Sequence, residues 1–142
     1  MIHGRSLAQG FSGDIDTAAI KKAKEYFGGT ILANGGINNT AIAKQTLEKT
    51  KVNGLGIARG CMGRPWIFEE IKKGADILKN KNEIFEIALK HAKLAHELKG
   101  DLGIIEMRKH LCWYVTGMLG AKEFRRKLIR VNTLNDIKKI LT

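Results

Sequence analysis

The chain has 142 residues, of which 44% are hydrophobic, 27% charged and 6% aromatic, and it carries a formal net charge of +11. That profile suits a globular protein of one or two small domains with a real core, and the excess of base points to an anionic partner. No apolar run approaches the roughly 18 residues that span a bilayer, and the start Met1-Ile2-His3-Gly4-Arg5 lacks the apolar region of a signal peptide, so a cytoplasmic protein is expected.

Taken in chain order, Ile20, Ala23, Tyr26 and Phe27 recur at helical spacing behind Asp14 and Asp16, either of which can cap a helix that Gly28-Gly29 then breaks. Thr30 to Ala33 is a short buried strand that runs into Asn34-Gly35-Gly36. Asn38, Asn39 and Thr40 lead into a second helix through Ala41, Ala43 and Leu47, and Val52-Asn53-Gly54 turns into a strand over Leu55 to Ala58. Strand, glycine loop, helix and strand make a βαβ unit, which favours a parallel sheet with its loops on the carboxyl edge. After Pro65, the residues Trp66, Ile67 and Ile71, with Glu69-Glu70 early and Lys72-Lys73 late, read as a helix closed by Gly74.

Residues 75–82 form a connector, and beyond it the strand signals fade. Ile84, Ala88, His91 or Ala92, Ala95 and Leu98 mark one long helix closed by Gly100. Ile104, Ile105, Leu111, Cys112, Val115, Met118 and Leu119 mark a second that ends at Gly120. Phe124, Leu128 and Ile129 suggest a third, and Leu134, Ile137, Ile140 and Leu141 a fourth, capped by Asn132 or Thr133. Four helices with short connectors imply a small bundle. The expected organisation is α/β over 1–74, a connector over 75–82 and an all-α domain over 83–142.

Glycines at strand ends let backbone N–H groups approach a ligand, and a helix start behind them favours an anion. In a (β/α)₈ TIM barrel the loops after the seventh and eighth strands bind phosphate in this way, and the two glycine loops fit that description in order and spacing. The candidate binding residues are therefore Asn34, Gly35, Gly36, Ala58, Arg59 and Gly60, with His3 at the end of a strand near the barrel mouth. Plain turn chemistry is the alternative for the glycines, and simple exposure the alternative for His3. Cys61 and Cys112 make neither a disulfide framework nor a metal cluster, and His91 and His96 lack the spacing and partners of a metal site.

From Arg108 to Arg130 the bases Arg108, Lys109, Lys122, Arg125, Arg126, Lys127 and Arg130 face one acid, Glu123. Such clustering is the footprint of a polyanion site or else a solvated helix face. Arg108-Lys109-His110 followed by Trp113-Tyr114 couples bases to rings. We assign Arg108, Lys109, His110, Arg125, Arg126 and Arg130 to RNA and leave the rings structural.

These residues together resemble the carboxyl-terminal part of the tRNA-dihydrouridine synthase family: His3-Gly4-Arg5 with Gly10-Phe11-Ser12-Gly13, Asn34-Gly35-Gly36-Ile37, Ala58-Arg59-Gly60 with Gly63, Pro65, Trp66 and Phe68, then Arg108-Lys109-His110, Trp113-Tyr114, Gly117 and Phe124-Arg125. The resemblance implies the last strands of a barrel holding FMN, reduced by NADPH, followed by a helical domain that holds tRNA. By position, His3 resembles the family histidine near the flavin ring, Asn34 the asparagine of an Asn-Gly-Asp loop, and Arg59-Gly60 the phosphate-gripping Gly-Arg-Gly. Gly36 stands where the family has aspartate and Ala58 where it has the first glycine. The family's first five strands, its Asn-x-Gly-Cys-Pro cysteine and its Val-Lys-x-Arg lysine have no counterpart in these residues, and Cys61 lies in the wrong loop to replace that cysteine as proton donor. The resemblance thus implies a parent oxidoreductase, a stretch that is inactive alone, and an incomplete sheet that self-associates or is partly disordered. The rivals are a non-catalytic basic RNA-binding module and another FMN-binding barrel enzyme.

Overall fold

In the computed structural model, which describes residues 1–10 and 12–142, three short strands form a parallel sheet in the order β1 (Ile2–His3), β2 (Leu32–Asn34), β3 (Gly54–Gly56). Phe11, in the Gly10-Phe11-Ser12-Gly13 run quoted above, lies outside the described residues. Helices α1 (Thr17–Tyr26) and α2 (Thr40–Thr50) form the two crossovers that parallel neighbours require. Asp16 caps α1 by accepting from Ala19 N at 2.8 Å, and Asn39 caps α2 by accepting from Ile42 N at 2.8 Å. Ile20, Ile31, Ala33 and Val52 are buried together, with Ile15, Leu47 and Leu55 packed against them.

Strands β2 and β3 are displaced from the expected spans. Residues 30–31 precede β2 because Asn53 ties them off: its side chain accepts from Ile31 N at 2.9 Å, and its own N–H donates to Ile31 O at 3.0 Å. β3 stops at Gly56 because the chain bends at Ala58 into a 3₁₀ turn, Arg59–Cys61. Tyr26 and Phe27 lie outside the core, 81% and 58% exposed, since α1 ends at Tyr26 and the Phe27 ring lies over Gly29 instead. Helix α3 (Ile67–Lys73) stops at Gly74, whose φ of 68° is the left-handed conformation that suits glycine. Its fully buried Glu70 pairs with Arg64 Nη2 at 2.8 Å and accepts from Ile77 N at 3.0 Å, fixing the segments on either side of the helix.

The chain divides into two compact units, Met1–Ile77 and Leu78–Thr142. The second consists of α4 (Lys81–Lys99), α5 (Asp101–Tyr114), α6 (Ala121–Leu128) and α7 (Leu134–Leu141). Capping boxes at Asn80 with Glu83 and at Thr133 with Asp136 start α4 and α7. Ala88, Ala92, Ile104, Leu111, Leu128 and Ile137 are fully buried. At Gly103 a Cβ would overlap Ala95 O, so α5 lies directly on the α4 backbone there. The second helix ends at Tyr114 rather than at Gly120, because Gly117 and Gly120 adopt positive φ and break residues 115–120 into turns. Leu119 consequently stands fully exposed, Leu98 is 83% exposed in the last turn of α4, and Met107 takes a core position that the expected stripe omitted. Among the described residues no helix is long and apolar enough to cross a membrane.

Candidate functional site

Register builds one end of the site. His3 pairs with Asn34 and Asn34 with Gly56, so the three residues form a single rung across the carboxyl ends of β1, β2 and β3. His3 Nδ1 and Asn34 Oδ1 are 2.7 Å apart, and Asn34 Nδ2 donates to Gly56 O at 2.7 Å. The carbonyl of Gly56 can only accept, which fixes the orientation of the Asn34 amide; Asn34 Oδ1 can only accept, which places a proton on His3 Nδ1.

Beyond the rung the backbone opens. Gly35 (φ 123°) and Gly36 (φ 63°) turn the chain in conformations that residues with a Cβ rarely adopt. The loop after β3 comes back against this turn at Gly60, where a Cβ would overlap Ile37 O and crowd Asn38. His3, Asn34, Gly35, Gly36, Ala58, Arg59 and Gly60 thereby line one cleft of about 560 Å³, together with Ile37, Asn38 and Gly56. The last three were not candidate binding residues in the sequence reading, although Ile37 closes the Asn34-Gly35-Gly36-Ile37 motif, Asn38 stands in the polar run before α2, and Gly56 is a glycine within a strand. The helix start behind the second loop is not part of the lining. Arg59 and Gly60 of the 3₁₀ turn Arg59–Cys61 line the cleft in place of α3. Cys61 Sγ donates to Ala58 O at 3.0 Å, which points the thiol back into its own turn.

Arg5 lies on the far side of the Gly36 turn. Its Nε donates to Gly13 O at 2.9 Å and its Nη2 lies 3.5 Å from where a Gly36 Cβ would be. Nη1 is buried without a hydrogen-bond acceptor among the described residues.

In the second unit the expected RNA-contacting bases occupy unlike settings. Arg108 is tied into the fold, its Nε donating to Val131 O at 2.9 Å and its Nη2 to Asn132 Oδ1 at 2.7 Å. Lys109, Arg125, Arg126 and Arg130 are exposed. Arg126 forms a two-point pair with Glu123 (3.0 and 2.8 Å), whose hydrogen bonding holds the Glu123 carboxyl below the usual carboxylate range. His110 belongs to a ring cluster: its centroid is 5.5 Å from His91 and 5.0 Å from Trp113, and His91 Nδ1 meets the Tyr114 hydroxyl at 3.1 Å. Burial depresses both imidazoles, and His91 and Lys109 depress His110 further against the opposing pull of Glu106. Burial pushes the Cys112 thiol up, against the opposing pull of Arg125. Among the described residues no three His, Cys, Asp or Glu side chains gather as a metal site.

A family model described as dihydrouridine synthase (Dus) matches residues 1–142. The chain is 34% identical over 144 residues to a probable tRNA-dihydrouridine synthase of Rickettsia bellii, covering 95% of this chain and 42% of that protein. It is 36% identical over 141 residues to tRNA-dihydrouridine synthase B of Pseudomonas putida, covering 95% and 41%. Against a probable tRNA-dihydrouridine synthase of Mycobacterium leprae it is 34% identical over 143 residues, covering 96% and 37%. The chain thus spans about two fifths of the length of these curated relatives.

Proposed function

The chain belongs to the dihydrouridine synthase family, and we propose that it is the carboxyl-terminal part of a tRNA-dihydrouridine synthase, an FMN- and NADPH-dependent oxidoreductase that reduces uridine to dihydrouridine in cytoplasmic tRNA. The observation that carries this reading is the single cleft lined by His3, Asn34–Gly36 and Ala58–Gly60. Its donor set fits a flavin tail: amides of Gly35, Gly36 and Gly60 and the Arg59 guanidinium take phosphate oxygens, while the His3 end of the rung takes the rest of the molecule. Ala58 narrows the approach by one methyl group. When bound, FMN supplies hydride transfer from NADPH to the C5–C6 double bond of uracil, and the protein holds and aims it.

In this reading residues 1–77 are the last strands of a (β/α)₈ barrel, and residues 78–142 are a four-helix tRNA-binding domain. Lys109, Arg125, Arg126 and Arg130 contact phosphates, with His110 beside them, while Arg108 supports that surface from within the fold. In this reading these residues by themselves bind without turning over substrate: among the described residues the thiol of the second loop, Cys61, donates into its own turn and does not stand in for the family's cysteine acid.

Titration of the chain with FMN, followed by quenching of flavin fluorescence, is expected to saturate, and a salt-dependent gel shift with tRNA is expected to weaken on Arg125→Glu with Arg126→Glu. Absence of flavin binding alongside an intact tRNA shift would favour a non-catalytic RNA-binding module. Flavin binding with no tRNA shift would favour another FMN-binding barrel enzyme.

A further inference from the structure

The rung across the sheet does more than line the cleft. Asn34 has two polar atoms, and both are engaged within the protein, Oδ1 by His3 Nδ1 at 2.7 Å and Nδ2 by Gly56 O at 2.7 Å. Each atom keeps one further site, a second N–H on Nδ2 and a second lone pair on Oδ1, but the orientation of the amide is set from within the protein. His3, by contrast, uses one ring nitrogen only: its side chain is exposed on the cleft, and Nε2 has no hydrogen-bond partner among the described residues. The orientation of Asn34 is dictated by a backbone carbonyl, and the tautomer of His3 is dictated in turn by Asn34.

We propose that Asn34 is a positioning residue that acts through His3: it holds the imidazole as the Nδ1–H tautomer, so that Nε2 meets the bound ligand as a hydrogen-bond acceptor. The ligand group that it takes is a donor, an imide N–H or a sugar-like hydroxyl, and not a phosphate oxygen, which belongs to the Arg59 end of the cleft. The assignment of that donor to the ring or ribityl chain of FMN rests on the function proposed above; the tautomer lock does not. A neutral imidazole free in water prefers the opposite tautomer, with the proton on Nε2, so the rung reverses the intrinsic preference and the reversal is measurable.

The experiment is ¹⁵N NMR of the His3 ring in the whole 142-residue chain at a pH where the ring is neutral, comparing the wild type with Asn34→Leu and Asn34→Asp. The wild type is expected to show Nδ1–H, Asn34→Leu to revert to Nε2–H, and Asn34→Asp, which keeps an acceptor facing Nδ1, to retain Nδ1–H. A wild-type ring protonated on Nε2, or a ring whose tautomer is the same in Asn34→Leu, overturns the proposal; because a loosened chain would also return the ring to the tautomer of free imidazole, the reversion is read in an Asn34→Leu chain whose backbone amide spectrum away from the rung matches that of the wild type. Should Asn34→Leu fail to fold, the wild-type spectrum and that of Asn34→Asp still decide.

Ligand titrations then separate this proposal from the reading beneath it. Riboflavin, which lacks the phosphate, is expected to lose about tenfold in affinity with Asn34→Leu, equivalent to one lost hydrogen bond, while inorganic phosphate is unaffected. Equal losses for phosphate and riboflavin overturn the role of Nε2 as acceptor. If neither FMN nor riboflavin binds the wild type, the flavin reading falls together with the assignment of the ligand, whereas the tautomer of His3 still settles what Asn34 does.

Discussion

At Gly60 the loop after β3 lies against the loop after β2, and the approach leaves no room for a side chain. The neighbour that a Cβ would meet is the Ile37 carbonyl, backbone that cannot rotate away. Gly60→Ala must therefore push the Arg59–Cys61 turn off the Gly35–Gly36 turn, and it is expected to weaken FMN binding about tenfold or more in a fluorescence titration. Gly28→Ala is the control, because a Cβ there meets nothing within 4 Å. Arg108 makes a second case, of a base whose sequence setting suggests a partner outside and whose bonds lie inside. Its guanidinium holds Val131 and Asn132, so Arg108→Ala should destabilise the helical unit by about 1–3 kcal/mol in chemical denaturation, and Arg130→Ala should not. At this scale the glycines and Arg59 were legible, since a glycine after a strand carries its own reason. The His3–Asn34 bond was not, because its partners are 31 residues apart and meet only through strand register. Arg108 could not be told from Arg130 for the same reason, since composition records charge and not what the charge touches.

Helices declared themselves where local chemistry sets their ends. Of the caps left open in the sequence, Asp14 or Asp16 and Asn132 or Thr133, the structure uses Asp16 and Thr133; Asn39, from the polar run before α2, caps that helix, and Gly74 and Gly100 stop α3 and α4 as expected. Apolar periodicity misled at helix ends, where Tyr26 and Leu98 stay exposed, and where glycine chemistry overrode it: it runs on through Val115, Met118 and Leu119, while the positive φ of Gly117 and Gly120 takes that stretch out of α5. The α4–α5 pair also carries a titration. His91 and His110 face each other at 5.5 Å and both are harder to protonate than a free histidine, whose value is 6.5. Below that value the unfolded chain takes up protons that the folded unit refuses, so the unfolded state binds more protons and stability falls as pH drops through 6.5, levelling off once both folded rings are charged. Thermal melts between about pH 7.5 and 5.5 should show Tm decreasing, and His91→Gln should flatten the decrease, because it removes one titration and relieves the other ring of its neighbour.

At the scale of the whole molecule the two units face different problems. The helical unit buries Ile104, Leu111, Leu128 and Ile137 among its own helices and leaves no sheet edge. The α/β unit has a sheet of three strands in which β1 and β3 pair only with β2 among the described residues, so each presents one side without a ladder partner. Three parallel strands are also too few to close on themselves and remove those edges. Two outcomes satisfy those edges: pairing with another copy, or local opening that lets water satisfy them. Size-exclusion chromatography with hydrogen exchange on the 142-residue chain should therefore find either a concentration-dependent oligomer with protected β1 and β3 amides, or a monomer whose strand amides exchange fast while α4 and α5 stay protected. A monomer equally protected in both units would contradict the argument, since it would mean that three short strands hold two open edges unaided. Adding FMN sharpens the comparison: a ligand that bridges the loops after β2 and β3 stabilises only the state in which those strands are aligned, so it should slow exchange across the α/β unit and leave the helical unit unchanged.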